Sequence, residues 1–160
     1  MANRMRVIQY GLGPIGNRVT HYLVQRPAFQ VVGAVDIDPQ KEGRDVGELA
    51  GLPPVGVEVR GDARAVLSQV QADVVVLTTT SSLEKARPQI VEILSYGLPI
   101  VSTCEELSYP WLTSPQISQE IDRVAREHQV AVLSTGVNPG FLMDLLPIVM
   151  TGICQQVEKV

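Results

Sequence analysis

Gly11-Leu12-Gly13-Pro14-Ile15-Gly16 follows the strand-like run Val7-Ile8-Gln9-Tyr10 and precedes Val19 and Leu23, which continue the helical spacing begun by Ile15. A G-x-G-x-x-G turn between a strand and a helix brings the backbone close to a pyrophosphate, and amides at the helix N-terminus then bind it. Pro14 presets a helical φ in the first turn. A second strand-like run, Val31 to Val35, ends at Asp36, close to the offset of roughly 20 residues expected for the acid that binds ribose hydroxyls. Its charge would repel a 2′-phosphate, which favours NAD over NADP, and Lys41 and Arg44 are near enough in sequence to blunt that preference. The plainer reading makes Asp36 a turn residue of Asp36-Ile37-Asp38-Pro39.

A second group of reactive side chains lies in Ser102-Thr103-Cys104-Glu105-Glu106-Leu107-Ser108-Tyr109-Pro110-Trp111. Burial beside a cofactor and a neighbouring like charge would each favour the protonated carboxyl, as a general acid/base requires. Adjacent side chains point apart, so one of Glu105 and Glu106 is expected to be catalytic. In the alternative, one faces solvent and the other caps a helix. Tyr109 and Trp111 would wall an apolar substrate pocket or pack on the sheet. Thr79 and Thr80, in the run Thr78 to Ser82, would contact the cofactor ribose, or the hydroxyls there only cap the next helix. His21 and His128 fall in predicted helices away from the strand ends, and Cys104 has no histidine placed to activate it. Cys104 and Cys154 match neither a metal-ligand spacing nor a disulfide framework, so no metal is expected and both read as reduced, buried thiols.

Strands and helices alternate around these residues. Helices are expected over Lys41 to Ala50, from Asp62, over Leu83 to Tyr96, and over Pro115 to His128. Strands are expected at Val57 to Val59, Asp73 to Leu77 (buried on both faces), Pro99 to Ser102 and Val130 to Leu133. Asn138-Pro139 reads as an N-cap and N1 opening a last apolar helix to about Met150. This pattern predicts an α/β fold, a doubly wound parallel sheet of the Rossmann dinucleotide-binding type, over residues 1–152. Residues 153–160 alternate polar and apolar, like the start of a strand leading into a C-terminal substrate domain. The alternative is a complete small protein with a frayed tail.

The composition of the 160 residues, 45% hydrophobic and 19% charged, suits a globular domain. A net charge of −4 without a Lys/Arg cluster argues against nucleic acid. The apolar runs are too short to span a membrane and no secretory signal is visible, so a cytoplasmic protein is expected.

Four ordered motifs, Val7 to Gly16, Gly33 to Pro39, Ser102 to Leu107 and Thr135-Gly136-Val137-Asn138-Pro139-Gly140-Phe141, resemble the 2,4-diaminopentanoate dehydrogenase group. That group is related to dihydrodipicolinate reductase and includes native amine dehydrogenases. The resemblance implies NAD(P)-dependent oxidative deamination, reversible as reductive amination of a small carbonyl compound with ammonia. It implies that Glu105, with Glu106 next in line, engages the amine and moves protons. It also implies that Asn138 fixes the nicotinamide end or the substrate, unless it only caps its helix. Members carry a C-terminal domain that completes the substrate pocket and usually the homo-oligomer interface. Within enzymes, an imine reductase resembling dihydrodipicolinate reductase is the alternative. Outside them, the alternative is a non-catalytic NAD(H) sensor.

Overall fold

The structure is a computed structural model and describes residues 4–159, so Met1 to Asn3 and Val160 lie outside the described residues. Six strands form one parallel sheet: β1 (Met5–Tyr10), β2 (Phe29–Val35), β3 (Val59–Arg60), β4 (Val74–Leu77), β5 (Ile100–Ser102) and β6 (Val132–Ser134). Their order is β3-β2-β1-β4-β5-β6. The chain leaves β1 toward β2 and returns to pair β4 with the other side of β1, so the connections diverge above these two central strands. A crevice opens at such a reversal, outside the carboxyl ends of the strands.

Helices α1 (Pro14–Gln25), α2 (Val46–Leu49), α3 (Ala63–Gln69), α4 (Leu83–Ser95) and α5 (Pro115–Glu127) cover the sheet. Val66 and Leu67 of α3, Ile90, Ile93 and Leu94 of α4, and Ile121 and Val124 of α5 share one core with Ile8, Val75 and Ile100. A second, smaller core joins Leu12, Val31, Ala34, Val46 and Val59, with Leu23 and Val24 of α1 packed against it. Two separate cores, one for α1 and α2 and one for α3 to α5, are what a doubly wound sheet requires. In β4, Val75 and Leu77 are buried while Val74 and Val76 are only half-buried, so one face is less covered than its run of apolar residues predicts.

Four elements depart from the sequence pattern. Strands β3 and β6 begin two residues later than expected. The helix expected over Lys41 to Ala50 shrinks to Val46–Leu49. Gly43 takes φ +74, which a right-handed helix cannot include, and Asp45 caps the short helix instead. The last helix does not open at Asn138-Pro139, whose peptide is cis; Gly140, at φ +124, follows before a π-helical turn, Phe141–Leu145, that runs into α6 (Leu146–Thr151). Asn138 therefore does not cap it, and the Gly140 amide donates to Asp144 Oδ2 at 2.7 Å.

No residue of Phe141–Thr151 is buried, although only Asp144 and Thr151 are polar; Met143 is 69% and Ile148 65% exposed. Ile153 to Lys159 form turns and bends with no sheet partner among the described residues, and a strand needs a neighbour to hydrogen-bond with. Among the described residues no helix is long and apolar enough to cross a membrane.

Asp45 collects four backbone amides: Oδ1 accepts from Gly47 (2.7 Å) and Val55 (3.0 Å), and Oδ2 accepts from Gly56 (2.7 Å) and Val57 (3.1 Å). Burial opposes its ionisation, but these amides outweigh it and hold the carboxyl below its ordinary value. The anion therefore stabilises the fold above about pH 4, and that contribution is lost as pH falls through the lower folded value. Asp45→Ala should cost about 1–2 kcal/mol at pH 7, as a lost cap does. In denaturant melts across pH, the gap between parent and variant should narrow below about pH 4.

Candidate active site

The glycine turn meets three separate demands. Gly11 has φ +93, a conformation open to glycine, and its amide donates to the Val35 carbonyl at 2.8 Å. Gly16 lies under the turn, where a β-carbon would sit 2.0 Å from the Gly11 oxygen. Gly13 differs from both. Its φ of −69° suits any residue, and a β-carbon there would meet no atom within 4 Å. Nothing in the fold requires glycine at this position, so the space beside it is free for a ligand. Pro14 stands at the start of α1, whose first turn has no acidic residue and no side-chain cap, leaving its positive end uncompensated. Ile15 is 57% exposed, whereas the Leu12 side chain is buried in the smaller core and offers only its backbone.

Asp36 closes one end of the crevice. Its Oδ2 accepts from the Leu12 amide at 2.7 Å and from Lys41 Nζ at 3.0 Å, and its Oδ1 accepts from the Asp38 amide at 2.9 Å. Burial opposes the charge, but the Asp38 and Leu12 amides and the Lys41 ammonium prevail and hold the carboxyl below its ordinary value. A cleft of about 320 Å³ runs from Asp36, Ile37 and Lys41 past Tyr10, Gly11 and Gly13 to Thr78, Thr79 and Thr80. Lys85 and Gln89 of α4 form its far wall.

A second cleft of about 200 Å³ shares Gly13 and Thr78 to Thr80 with the first and continues to Pro14, Ile15, Ser81, Thr103 and Glu105. The two make a groove with Asp36 at one end and Glu105 at the other. The Thr79 hydroxyl donates to Gln89 at 2.6 Å, and Thr80 Oγ1 accepts from the Ser82 amide at 3.2 Å. Neither Ser81 nor Ser82 caps α4 with its side chain. Glu106 does so from across the sequence, its Oε2 accepting from the Leu83 amide at 2.7 Å.

The adjacent glutamates are thus divided between the groove and a helix end. Both are exposed, so the burial expected of them is not present among the described residues. Cys104 beside them is buried, and that burial pushes its thiol above the ordinary value; its sulfur donates to the Ser81 carbonyl at 3.2 Å. Cys154 is exposed, against the burial expected of both cysteines, because it follows the uncovered last helix. Asn138 is exposed and lies outside both clefts. His21 Nδ1 pairs with the Ala50 carbonyl at 3.0 Å, joining α1 to the end of α2. Trp111 lines a different crevice, about 450 Å³, between α5 and β6 with Ile121 and Val132, while Tyr109 is 67% exposed. A wider depression of about 880 Å³ on α3 to α5 is bordered by the Arg64–Glu92 and Arg87–Glu120 ion pairs, whose charges are already matched. Among the described residues no cluster of His, Cys, Asp and Glu could hold a metal ion. The sequence reading missed Lys85, Gln89 and Gln9; only Gln9, a polar residue inside an apolar strand, carries a visible signal.

A family model described as dihydrodipicolinate reductase, N-terminus, matches residues 5–104. A 2,4-diaminopentanoate dehydrogenase of Acetoanaerobium sticklandii is 35% identical over 159 residues, which cover 98% of this chain and 45% of that relative. The amine dehydrogenase of Mycobacterium smegmatis is 33% identical, with a TM-score of 0.88 over 98% of this chain and 46% of its own. The WlbA dehydrogenase of Bordetella pertussis, solved with NADH and UDP-GlcNAcA, is similar in fold alone: 20% identity and a TM-score of 0.63, over 84% of this chain and 36% of its own. The chain spans about half the length of the curated relatives it matches. Its doubly wound sheet, its glycine turn and the match over residues 5–104 agree: the chain belongs to the dihydrodipicolinate reductase N-terminal family of dinucleotide-binding domains.

Proposed function

We propose that this domain binds the cofactor of an NAD(P)-dependent amine dehydrogenase, which interconverts an amine with a carbonyl compound and ammonia. The observation that carries the reading is Gly13, a glycine with ordinary φ and open space where a side chain would be. The pyrophosphate would lie there over the start of α1, with the adenosine ribose at Asp36 and the nicotinamide toward Ile15, Thr103 and Glu105. Thr79 and Thr80 line both clefts and would border the cofactor between its two ends. The nicotinamide supplies hydride exchange with the substrate carbon when bound. Glu105 would hold the ammonium through its carboxylate, take a proton from the amine nitrogen and return it to the oxygen that leaves as water. Glu106 would keep the loop on α4. Asn138 would reach the substrate only in the completed enzyme, because it lies outside the groove here.

The likeness to the 2,4-diaminopentanoate dehydrogenase and the amine dehydrogenase supports this chemistry over imine reduction alone. A second domain, seated on the exposed apolar segment Phe141–Thr151, would close over Glu105 and supply the burial its role needs. The full enzyme would be a cytoplasmic homo-oligomer, and the free thiols fit a reducing compartment.

Gly13→Val should fold with a melting temperature near the parent's and bind NADH about 100-fold more weakly or worse, because the new methyls fill the pyrophosphate space. Calorimetry on both proteins checks this, and equal affinity would make the turn merely structural.

NAD should be preferred to NADP, with Lys41 softening the preference through its pairing with Asp36. Asp36→Ala removes the ribose acceptor and frees Lys41 for a 2′-phosphate. A charged hydrogen bond contributes about 1.5–3 kcal/mol, so NAD affinity should fall roughly 10- to 100-fold while NADP affinity holds or rises. Titrations of both cofactors against both proteins measure it. Unchanged NAD affinity would leave Asp36 a turn residue.

In a protein that includes the second domain, Glu105→Gln should lower turnover about 10²- to 10⁴-fold with little change in cofactor affinity. Glu106→Gln should cost stability and far less rate. Steady-state kinetics beside cofactor titrations separate the two, and near-parental turnover in both variants would sink the mechanism.

A further inference from the structure

Gln9 is a fully buried carboxamide inside the apolar strand β1. Its Nε2 donates to the Gly11 carbonyl at 2.9 Å and to the Thr78 hydroxyl at 2.8 Å, and that hydroxyl donates to the same carbonyl at 2.7 Å. Its Oε1 is buried without a partner among the described residues. A buried amide left half-satisfied is costly, and an apolar side chain of the same length would fill the space without that cost. Packing alone does not account for the residue.

The Gly11 oxygen held by Gln9 and Thr78 belongs to the same planar peptide unit as the Leu12 amide. That amide donates to Asp36 Oδ2 at 2.7 Å. Rotating the Gly11–Leu12 peptide would therefore move both ends of this chain of contacts together. We propose that Gln9 is a positioning residue for the cofactor, acting through the Gly11–Leu12 peptide to hold the Asp36 carboxylate where it meets the ribose. Gln9 and Thr78 fix the carbonyl end, and Asp36 is aligned by the amide end. Glycine restricts φ and ψ least, so the bonds to the Gly11 oxygen add to the Val35 and Asp36 contacts in holding that orientation at φ +93.

The inference rests on the cofactor reading above, and a double-mutant cycle distinguishes the two. Calorimetry with NADH is run on the parent chain, Gln9→Met, Asp36→Ala and the double variant, with melting temperatures recorded for each. Gln9→Met should melt near the parent and bind NADH about 10-fold more weakly, yet change affinity less than about 2-fold when Asp36 is already Ala. A purely structural role would move the melting temperature and leave the affinity of the folded protein alone. Gln9→Leu makes the same comparison if the methionine variant does not fold. No binding by the parent overturns both the cofactor reading and the inference. Equal binding by parent and Gln9→Met, or equal losses in both backgrounds, overturns the inference alone. Loss of the fold in both Gln9 variants overturns it too, since Gln9 would then hold the core rather than the site.

Discussion

Helix α1 approaches the end of β1 so closely that a β-carbon on Gly16 would lie 2.0 Å from the Gly11 oxygen. That contact fixes the distance between the positive end of the helix and the mouth of the sheet, and the other contacts of the turn follow from it. Gly11 takes a positive φ to carry the chain around the tight corner. Its carbonyl, pressed against the helix, also accepts from Gln9 and Thr78, and the Gln9–Thr78 bond ties β1 to the loop after β4. The next amide then faces Asp36. A methyl group at residue 16 would disturb this arrangement from beneath, while residue 13 above it remains unconstrained.

The groove divides electrostatically. At the Asp36 end every charge is partnered, by amides and by Lys41, so an incoming hydroxyl meets a rigid, oriented acceptor. At the Glu105 end the carboxylate is exposed beside the apolar Ile15. A carboxylate in water is a weak base and a poorly directed one. The same residue under a low-dielectric cover would attract a cation far more strongly.

The parts of the fold most legible in the sequence are those set by neighbours in the chain. The strand-turn-helix of residues 5–25, the acid at the end of β2 and the alternation of strands and helices all follow from local periodicity and the placement of glycine and proline. What was not legible depends on contacts across the chain. Asp45 reaches amides ten to twelve residues onward and so shortens a helix whose composition would allow more. Glu106 caps a helix that begins 23 residues earlier. Lys85 and Gln89 reach the groove because α4 starts beside it, which no spacing in the sequence reveals. Asn138 looked like a cap because Asn-Pro is a frequent helix opening, but Gly140 delays the helix until Phe141.

The Glu106 tether has a consequence for altering the specificity of such a protein. The loop after β5 is anchored at Glu106 and at Cys104, whose amide and sulfur are both engaged, while the Glu105 side chain between them has no hydrogen-bond partner among the described residues. Of this loop, Thr103 and Glu105 line the groove, so exchanges at Thr103 would reshape it on a fixed frame while keeping the carboxylate at 105. Insertions between 104 and 106, or exchanges of Glu106, would take the cap from α4, so a library that randomised both glutamates would lose that tether together with the carboxylate at 105.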